Sequence, residues 1–225
     1  MSSFIDFFHE VGKLKDTAGR GWILIGAENP ASVTDHSFRM AIMAWFLGKK
    51  KKNINFEKAI KMALVHDLCE LHAENLTPYD HGHLPKDKKD WPAAFDKLPR
   101  FSKSKKLENF LKKEKKEKKA LLKITANMPG DLKKEIISLW QDYSKGSSRE
   151  ARFVRQINRL ETLLQAFEYG KESECRPFNS WWIGSEEQID DPVLIECMLQ
   201  IAEKFYHDGK ISKKKTKRKR TLKKK

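Results

Sequence analysis

Apolar residues recur at every third or fourth position along most of the chain, which is the spacing of one face of an α-helix. In the first such segment, Phe4, Ile5, Phe8 and Val11 form the expected core face. No sheet is suggested, and we predict an all-α bundle. The pattern places helices at about 3–16, 32–50, 56–73, 104–126, 130–145, 148–170 and 191–208.

Local signals mark several ends of these helices. Ser32 or Thr34 is the candidate cap of the second helix, and Pro78 stops the chain from continuing the third. The polar stretch at about 80–105 contains three prolines and several aromatic residues, and we interpret it as a long functional loop or lid. The lysine- and glutamate-rich run at 112–119 is typical of a solvated helix face.

The positive charge is concentrated at one end of the chain. The formal net charge is +15, but eleven of the last sixteen residues are Lys or Arg and none is acidic. Without them the chain carries 35 basic and 31 acidic residues, a net of +4. We therefore expect one folded domain over 1–209 and a disordered basic tail over 210–225. Such a tail is solvated, contacts nucleic acid without sequence preference, or serves as a nuclear signal.

Several classes of protein are disfavoured by the sequence. No segment approaches the roughly 18 uninterrupted apolar residues of a membrane span, and the acidic residues near the first position argue against a secretory signal. Cys69, Cys175 and Cys197 are odd in number and widely spaced, which suits a reducing compartment. These features predict a cytoplasmic protein, or a nuclear one if the tail is a signal. We interpret Cys69 as a small buried residue.

Candidate chemistry lies on two neighbouring predicted helices. His36 is on one, and His66, Asp67 and Glu70 are on the next. Two neutral imidazoles and a carboxylate provide three ligands for Mn, Co, Zn or Fe. Such a metal lowers the pKa of its water and polarises a phosphoryl oxygen, and Glu70 would orient that water or move a proton. By spacing alone, histidines satisfied within the core are the commoner explanation. His81 and His83 form a weaker candidate pair for a metal.

Four blocks of sequence together resemble the HD-domain phosphohydrolases, most closely the small 5′-deoxynucleotidases of that family. The similarity covers roughly residues 4–205, apart from an expanded stretch near 88–105. The blocks are DHS (35–37), VHDLCE (65–70), LTP (76–78) and the segment from LWQDY to AFEY (139–169).

The resemblance implies a helical HD-domain fold and assigns roles to individual residues. It implies one divalent transition metal (Mn, Co, Zn or Fe), a nucleoside monophosphate substrate and assistance to the attacking water by Glu70. Trp22 matches an aromatic residue that lines the nucleotide pocket, and Arg20 lies close to the arginine that contacts phosphate in the family. The implied metal ligands are His36, His66, Asp67 and the residue at position 158.

This chain departs from the family pattern at two positions. Asn158 stands where the family has Asp, and Asn75 stands where a Gly-Asp pair supplies a carboxylate for substrate positioning. An amide oxygen coordinates a metal without bringing charge, so Asp67 alone offsets a dication and metal affinity should fall. Glu161 lies one turn after position 158. We interpret it as a surface or supporting residue, the alternative being a direct approach that restores the missing charge.

Three functions are compatible with these residues. The expected one is a metal-dependent phosphohydrolase that removes phosphate from (deoxy)nucleoside 5′-monophosphates, with a homodimer left open. The alternative is a catalytically weakened HD-domain protein that binds nucleotides or nucleic acid, favoured by Asn158, Asn75 and the basic tail. A purely structural helical protein leaves the grouping of His36, His66, Asp67 and Glu70 unexplained.

Overall fold

The computed structural model describes residues 2–169 and 178–205. Within these residues the chain forms α-helices and short 3-10 turns and contains no strand; an isolated bridge joins Ala18 and Ser32. The prediction of an all-α fold is confirmed, whereas the predicted tail at 210–225 lies outside the described residues. The helices are α1 Ser2–Gly12, α2 Arg20–Leu24, α3 Val33–Lys49, α4 Phe56–Val65, α5 Trp91–Phe95, α6 Lys103–Ile124, α7 Gly130–Lys145, α8 Arg149–Tyr169, α9 Phe178–Gln188 and α10 Pro192–Phe205.

The two helices that lead to the site begin at side-chain caps. The Ser32 hydroxyl accepts from the backbone N–H of Asp35, and the Asp35 carboxylate accepts from the backbone N–H of Ser32 at 2.8 Å. This reciprocal arrangement satisfies two N–H groups that have no partner within α3. Asn55 caps α4 by accepting from the backbone N–H of Lys58 at 3.0 Å. The predicted cap at Ser32 is therefore confirmed.

The largest apolar cluster lies where α3, α4, α8 and α10 pack together. Its fully buried members include Met40, Met62, Val154, Ile157 and Leu194, one or more from each helix. Burial of such side chains is the main favourable contribution to folding. The packing also sets α3, the last turn of α4 and the middle of α8 side by side, which is where the candidate chemical residues lie.

Two predictions about helices are wrong. The helix expected over 56–73 ends at Val65, and residues Leu68–Leu71 form a 3-10 turn instead. On α1, Ile5 and Phe8 are 67% and 61% exposed, whereas Phe7 and Val11 pack against the core. The run of apolar residues near the start of α1 fits more than one helical face, so only tertiary contact selects the buried one.

The predicted loop at about 80–105 is partly folded and attached to the core. It contains 3-10 turns at Pro78–His81 and Lys88–Asp90, followed by α5. Phe95 is fully buried and meets Tyr79 edge-on at 5.1 Å between ring centroids. The Tyr79 hydroxyl donates to the Lys97 carbonyl at 3.2 Å. These contacts fix the loop beside the cleft described below.

Two further expectations concern membranes and cysteines. In the described part of the chain, no helix has both the length and the apolar character needed to span a bilayer. Cys69 and Cys197 are free thiols, and Cys175 lies outside the described residues. Cys69 is buried as predicted, and burial raises the pKa of its thiol well above the ordinary value.

Candidate active site

The His-Asp pair lies at the point where α4 stops. His66 still has helical backbone angles, but Asp67 has φ −112° and ψ 13°, and the 3-10 turn follows. The change in winding places the Asp67 carboxylate 3.0 Å from His66 Nε2 and 4.0 Å from His36 Nε2. A continuous helix would separate neighbouring side chains by about 100° around its axis, so the end of α4 is what brings both members of the pair to one point.

His36, His66 and Asp67 form a group that could hold a metal ion. One ligand atom from each lies within 4.8 Å of the others. His66 Nδ1 donates to the Ala63 carbonyl at 2.8 Å, which leaves the Nε2 lone pair directed at the group. Burial opposes ionisation of Asp67, but the two histidines outweigh it and hold the pKa of this carboxyl far below its usual range. Two imidazoles and an ionised carboxylate suit a divalent transition metal.

Asn158 lies at the same point. Its amide group is 3.3 Å from His66 Nε2 and donates to the Tyr143 hydroxyl at 2.7 Å. A half-turn of the amide exchanges its nitrogen and oxygen without moving the rest of the side chain, and would let Tyr143 donate instead. Position 158 thus belongs to the cluster, and Tyr143 is a neighbour that no sequence spacing indicated.

Glu161 lies behind His36 and not beside the metal-binding atoms. It is 2% exposed and accepts a hydrogen bond from His36 Nδ1. Arg39 donates to the same carboxylate from Nε at 2.8 Å and also contacts Glu168 and Gln165. Burial disfavours the charged form of Glu161, but His36 and Arg39 outweigh it and lower the pKa of the carboxyl. The supporting role preferred from the sequence agrees with this geometry.

Glu70 faces the cleft from the 3-10 turn, and its carboxylate accepts from the Asn75 amide at 2.7 Å. Burial, followed by the charge of Asp67, raises the pKa of Glu70 well above its ordinary value. Asn75, predicted to position the substrate, lines the same cleft. A carboxyl group with a raised pKa exchanges protons more readily near neutral pH than an ordinary one.

The run 112–119 is mostly exposed, as expected, but one side of it, which includes Glu114, lines the cleft. Lys113 and Glu117 line the cleft from α6, with their charged groups 3.3 Å apart. They lie one helical turn apart on the same side of α6, whose next turn is buried at Ala120 and Leu121. The buried spacing at that end of the helix is the signal that could have identified this face.

Two of the predicted substrate residues, Arg20 and Trp22, also line the cleft. Arg20 donates to the Asp80 carboxylate from Nη2 at 2.7 Å and from Nε at 3.2 Å. Trp22 is 8% exposed and stacks on Trp181 at 5.8 Å between ring centroids. Asp80 and Trp181 were not predicted, although the Thr77–Asp80 spacing is that of a capping box, which the structure forms.

The cleft has a volume of about 610 Å³, within the range of small-molecule sites. The candidate metal-binding group lies in its lining, with charged residues from α6 and α8 and aromatic residues from α2, the 80–105 loop and α9. His81 and His83 both pack edge-on against Phe101. Of these two histidines, His81 lines the cleft, and neither belongs to the metal-binding group found among the described residues.

The described residues form a helical fold in which a His-Asp pair and a second histidine meet in one cleft. The profile of the HD domain matches residues 11–190, and the chain belongs to the HD-domain family. It is 36% identical over 178 residues to 5′-deoxynucleotidase HDDC2 of Dictyostelium discoideum, which covers 76% of this chain and 80% of that protein. It is 34% identical over 201 residues to 5′-deoxynucleotidase HDDC2 of Homo sapiens, covering 88% of this chain and 84% of the other.

Solved structures show the same fold. A conserved hypothetical protein from Pyrococcus furiosus superimposes with a TM-score of 0.63 at 28% identity, covering 88% of this chain and 99% of that one. A predicted metal-dependent phosphohydrolase from Magnetospirillum magnetotacticum superimposes with a TM-score of 0.61 at 21% identity, covering 90% and 93%. At that level of identity, the second similarity concerns the fold alone.

Proposed function

We propose that this chain is a metal-dependent phosphohydrolase that removes phosphate from deoxynucleoside 5′-monophosphates. The observation that carries the proposal is the convergence of His36, His66 and Asp67 in a cleft large enough for a nucleotide. Relatives named 5′-deoxynucleotidase at 36% and 34% identity support the substrate class.

One divalent transition metal (Mn, Co, Zn or Fe) would be held by His36, His66, Asp67 and the amide oxygen of Asn158. The contacts of the two imidazole Nδ1 atoms support this assignment, because both leave Nε2 to coordinate. When bound, the metal polarises the phosphoryl group and lowers the pKa of coordinated water. Asp67 is then the ligand that brings negative charge to the ion.

Glu70 orients the attacking water and accepts its proton. Its raised pKa suits this role, and the hydrogen bond from Asn75 fixes one of its oxygens. Arg20, which also lines the cleft, neutralises the phosphate, with Asp80 holding the guanidinium in place. Trp22 and its stacked partner form the apolar wall against which the nucleoside packs.

The test combines metal analysis with phosphate release by the full chain. After reconstitution with Mn, Co or Zn, we expect about one bound ion and release of phosphate from a panel of deoxynucleoside and ribonucleoside 5′-monophosphates. His66→Ala and Asp67→Ala should abolish both. His83→Ala is the matched control, because this side chain packs on Phe101 in the loop. Nucleotide binding without phosphate release by the metal-loaded protein would favour the weakened, binding-only alternative.

The basic segment 210–225 provides loose contact with nucleic acid in addition to this activity. Eleven Lys or Arg residues without an acidic one give a local charge density that attracts polyanions by releasing their counterions. The rest of the chain carries a net charge of only +4. Nonspecific binding of nucleic acid should therefore depend on this segment and weaken steeply with added salt.

A further inference from the structure

Lysine is the most frequent residue of helix α6, but its lysines do not share one environment. Several pair with acidic side chains on the outside of the protein: Lys112 with Glu108 at 2.5 Å, and Lys116 with Glu74 at 2.7 Å. Exposed pairs of this kind contribute little. Lys113 instead lines the cleft, on the face of α6 that continues into the core.

The position of Lys113 relative to the candidate site is fixed by packing. Ala120 and Leu121 of α6 pack in the same apolar cluster as Leu68 and Cys69 of the turn after the His-Asp pair. The ammonium of Lys113 consequently lies within the field of the carboxylates on that turn. The walls of the cleft partly desolvate its ammonium, which acts against the charge, but Glu117, Asp67 and Glu70 outweigh this and raise the pKa of Lys113.

A phosphate monoester entering this cleft meets a wall that carries several carboxylates. Among the basic residues that line it, Arg20 donates to Asp80, Arg159 donates to Gln188, and Lys106 interacts with the charge of Glu187. Arg155 donates to the backbone carbonyl of Ser144 at 2.8 Å. Lys113 has three N–H donors, and its contact with Glu117 uses one of them. Its side chain is 54% exposed and lines the cleft, so an anion can reach it.

We propose that Lys113 contacts the phosphate of the nucleotide and that Glu117 positions its ammonium for this contact. The inference rests on the proposed function for the identity of the substrate. It also gives a reason for a lysine at this wall, because Lys113 offsets the nearby charges of Glu117, Asp67 and Glu70, which would repel a phosphate dianion.

The experiment compares Lys113→Met with Lys112→Met in the full, metal-loaded chain. The second substitution removes the neighbouring lysine, which pairs with Glu108 on the outer face. Binding of inorganic phosphate is measured directly by calorimetry, and kcat and KM are measured with deoxynucleoside monophosphates. Metal content and melting temperature are recorded for both variants.

We expect Lys113→Met to weaken phosphate binding and raise KM by roughly tenfold or more, the effect of losing a charge-assisted hydrogen bond. Metal content should stay at the wild-type level. Lys112→Met should match the wild type, and Lys113→Arg should recover part of the phosphate affinity because the charge is kept. A role in helix stability alone would lower the melting temperature and leave phosphate affinity unchanged.

Equal phosphate affinity in Lys113→Met and Lys112→Met would overturn the inference, as would a metal-loaded wild type that binds no phosphate. Failure of the proposed function gives a different result. In that case the wild type releases no phosphate from any nucleotide, while calorimetry still compares the phosphate affinity of the two variants. The two ideas therefore fail separately.

Discussion

Replacing Glu161 with glutamine keeps the size of a buried side chain and removes the charge that His36 and Arg39 share. Both neighbours donate to the carboxylate. A glutamine amide offers one oxygen and one NH2 group. Its NH2 group cannot accept, so one of the two hydrogen bonds is lost. If His36 responds by moving its proton to Nε2, the nitrogen that faces Asp67 can no longer bind a metal.

The size of the effect follows from these contacts. Partners that orient a metal-binding histidine contribute about 10- to 100-fold to metal affinity, or about 1.4 to 2.8 kcal/mol. Without metal, loss of a hydrogen bond to a charged group in this buried position costs about 2 kcal/mol of folding stability. Arg39 keeps its contacts with Glu168 and Gln165, which limits the loss.

The assay is competition for Mn or Zn against a fluorescent chelator, with thermal unfolding measured in the presence and absence of metal. Glu168→Gln is the matched control, because Glu168 contacts Arg39 but not His36 and is partly exposed. We expect Glu168→Gln to lower the free energy of unfolding by less than about 1 kcal/mol and to leave metal affinity unchanged. If Glu161→Gln holds metal as tightly as the control, the carboxylate does not orient His36 for a metal and the reasoning is refuted.

Three further predictions concern other parts of the protein. Asn158→Asp should tighten metal binding by roughly tenfold, about 1.4 kcal/mol, and raise phosphate release; a lower melting temperature with neither gain would mean that position 158 does not bind metal. The Asp142 carboxylate accepts from Lys58 and Ser148, which outweigh burial and lower its pKa. Asp142→Asn should therefore cost about 1 to 2 kcal/mol at neutral pH, and the difference in melting temperature should shrink as the pH falls below about 4; a difference independent of pH would contradict this. Deleting 210–225 should abolish most salt-dependent binding of nucleic acid without changing phosphate release, and persistent binding would locate a basic groove in the body of the protein.

The sequence by itself determined the features that depend on residues close together in the chain. Periodic apolar positions indicated the long helices, because neighbours three and four apart share a face. Ser32 was identifiable as a cap since its partner Asp35 is only three residues away. His36, His66 and Asp67 were identified as a group because their residue types and order match a known pattern, and the structure brings them together.

Only the tertiary structure decided how distant side chains meet. The end of α4 at Val65 was not visible in a pattern that continues to residue 73, yet it turns Asp67 towards both histidines. Helices as short as α2 and α5 contain too few turns to show a period. Glu161 and Lys113 looked like ordinary exposed charges on long helices. Their burial or direction depends on packing between helices far apart in sequence, and local spacing carries no information about that packing.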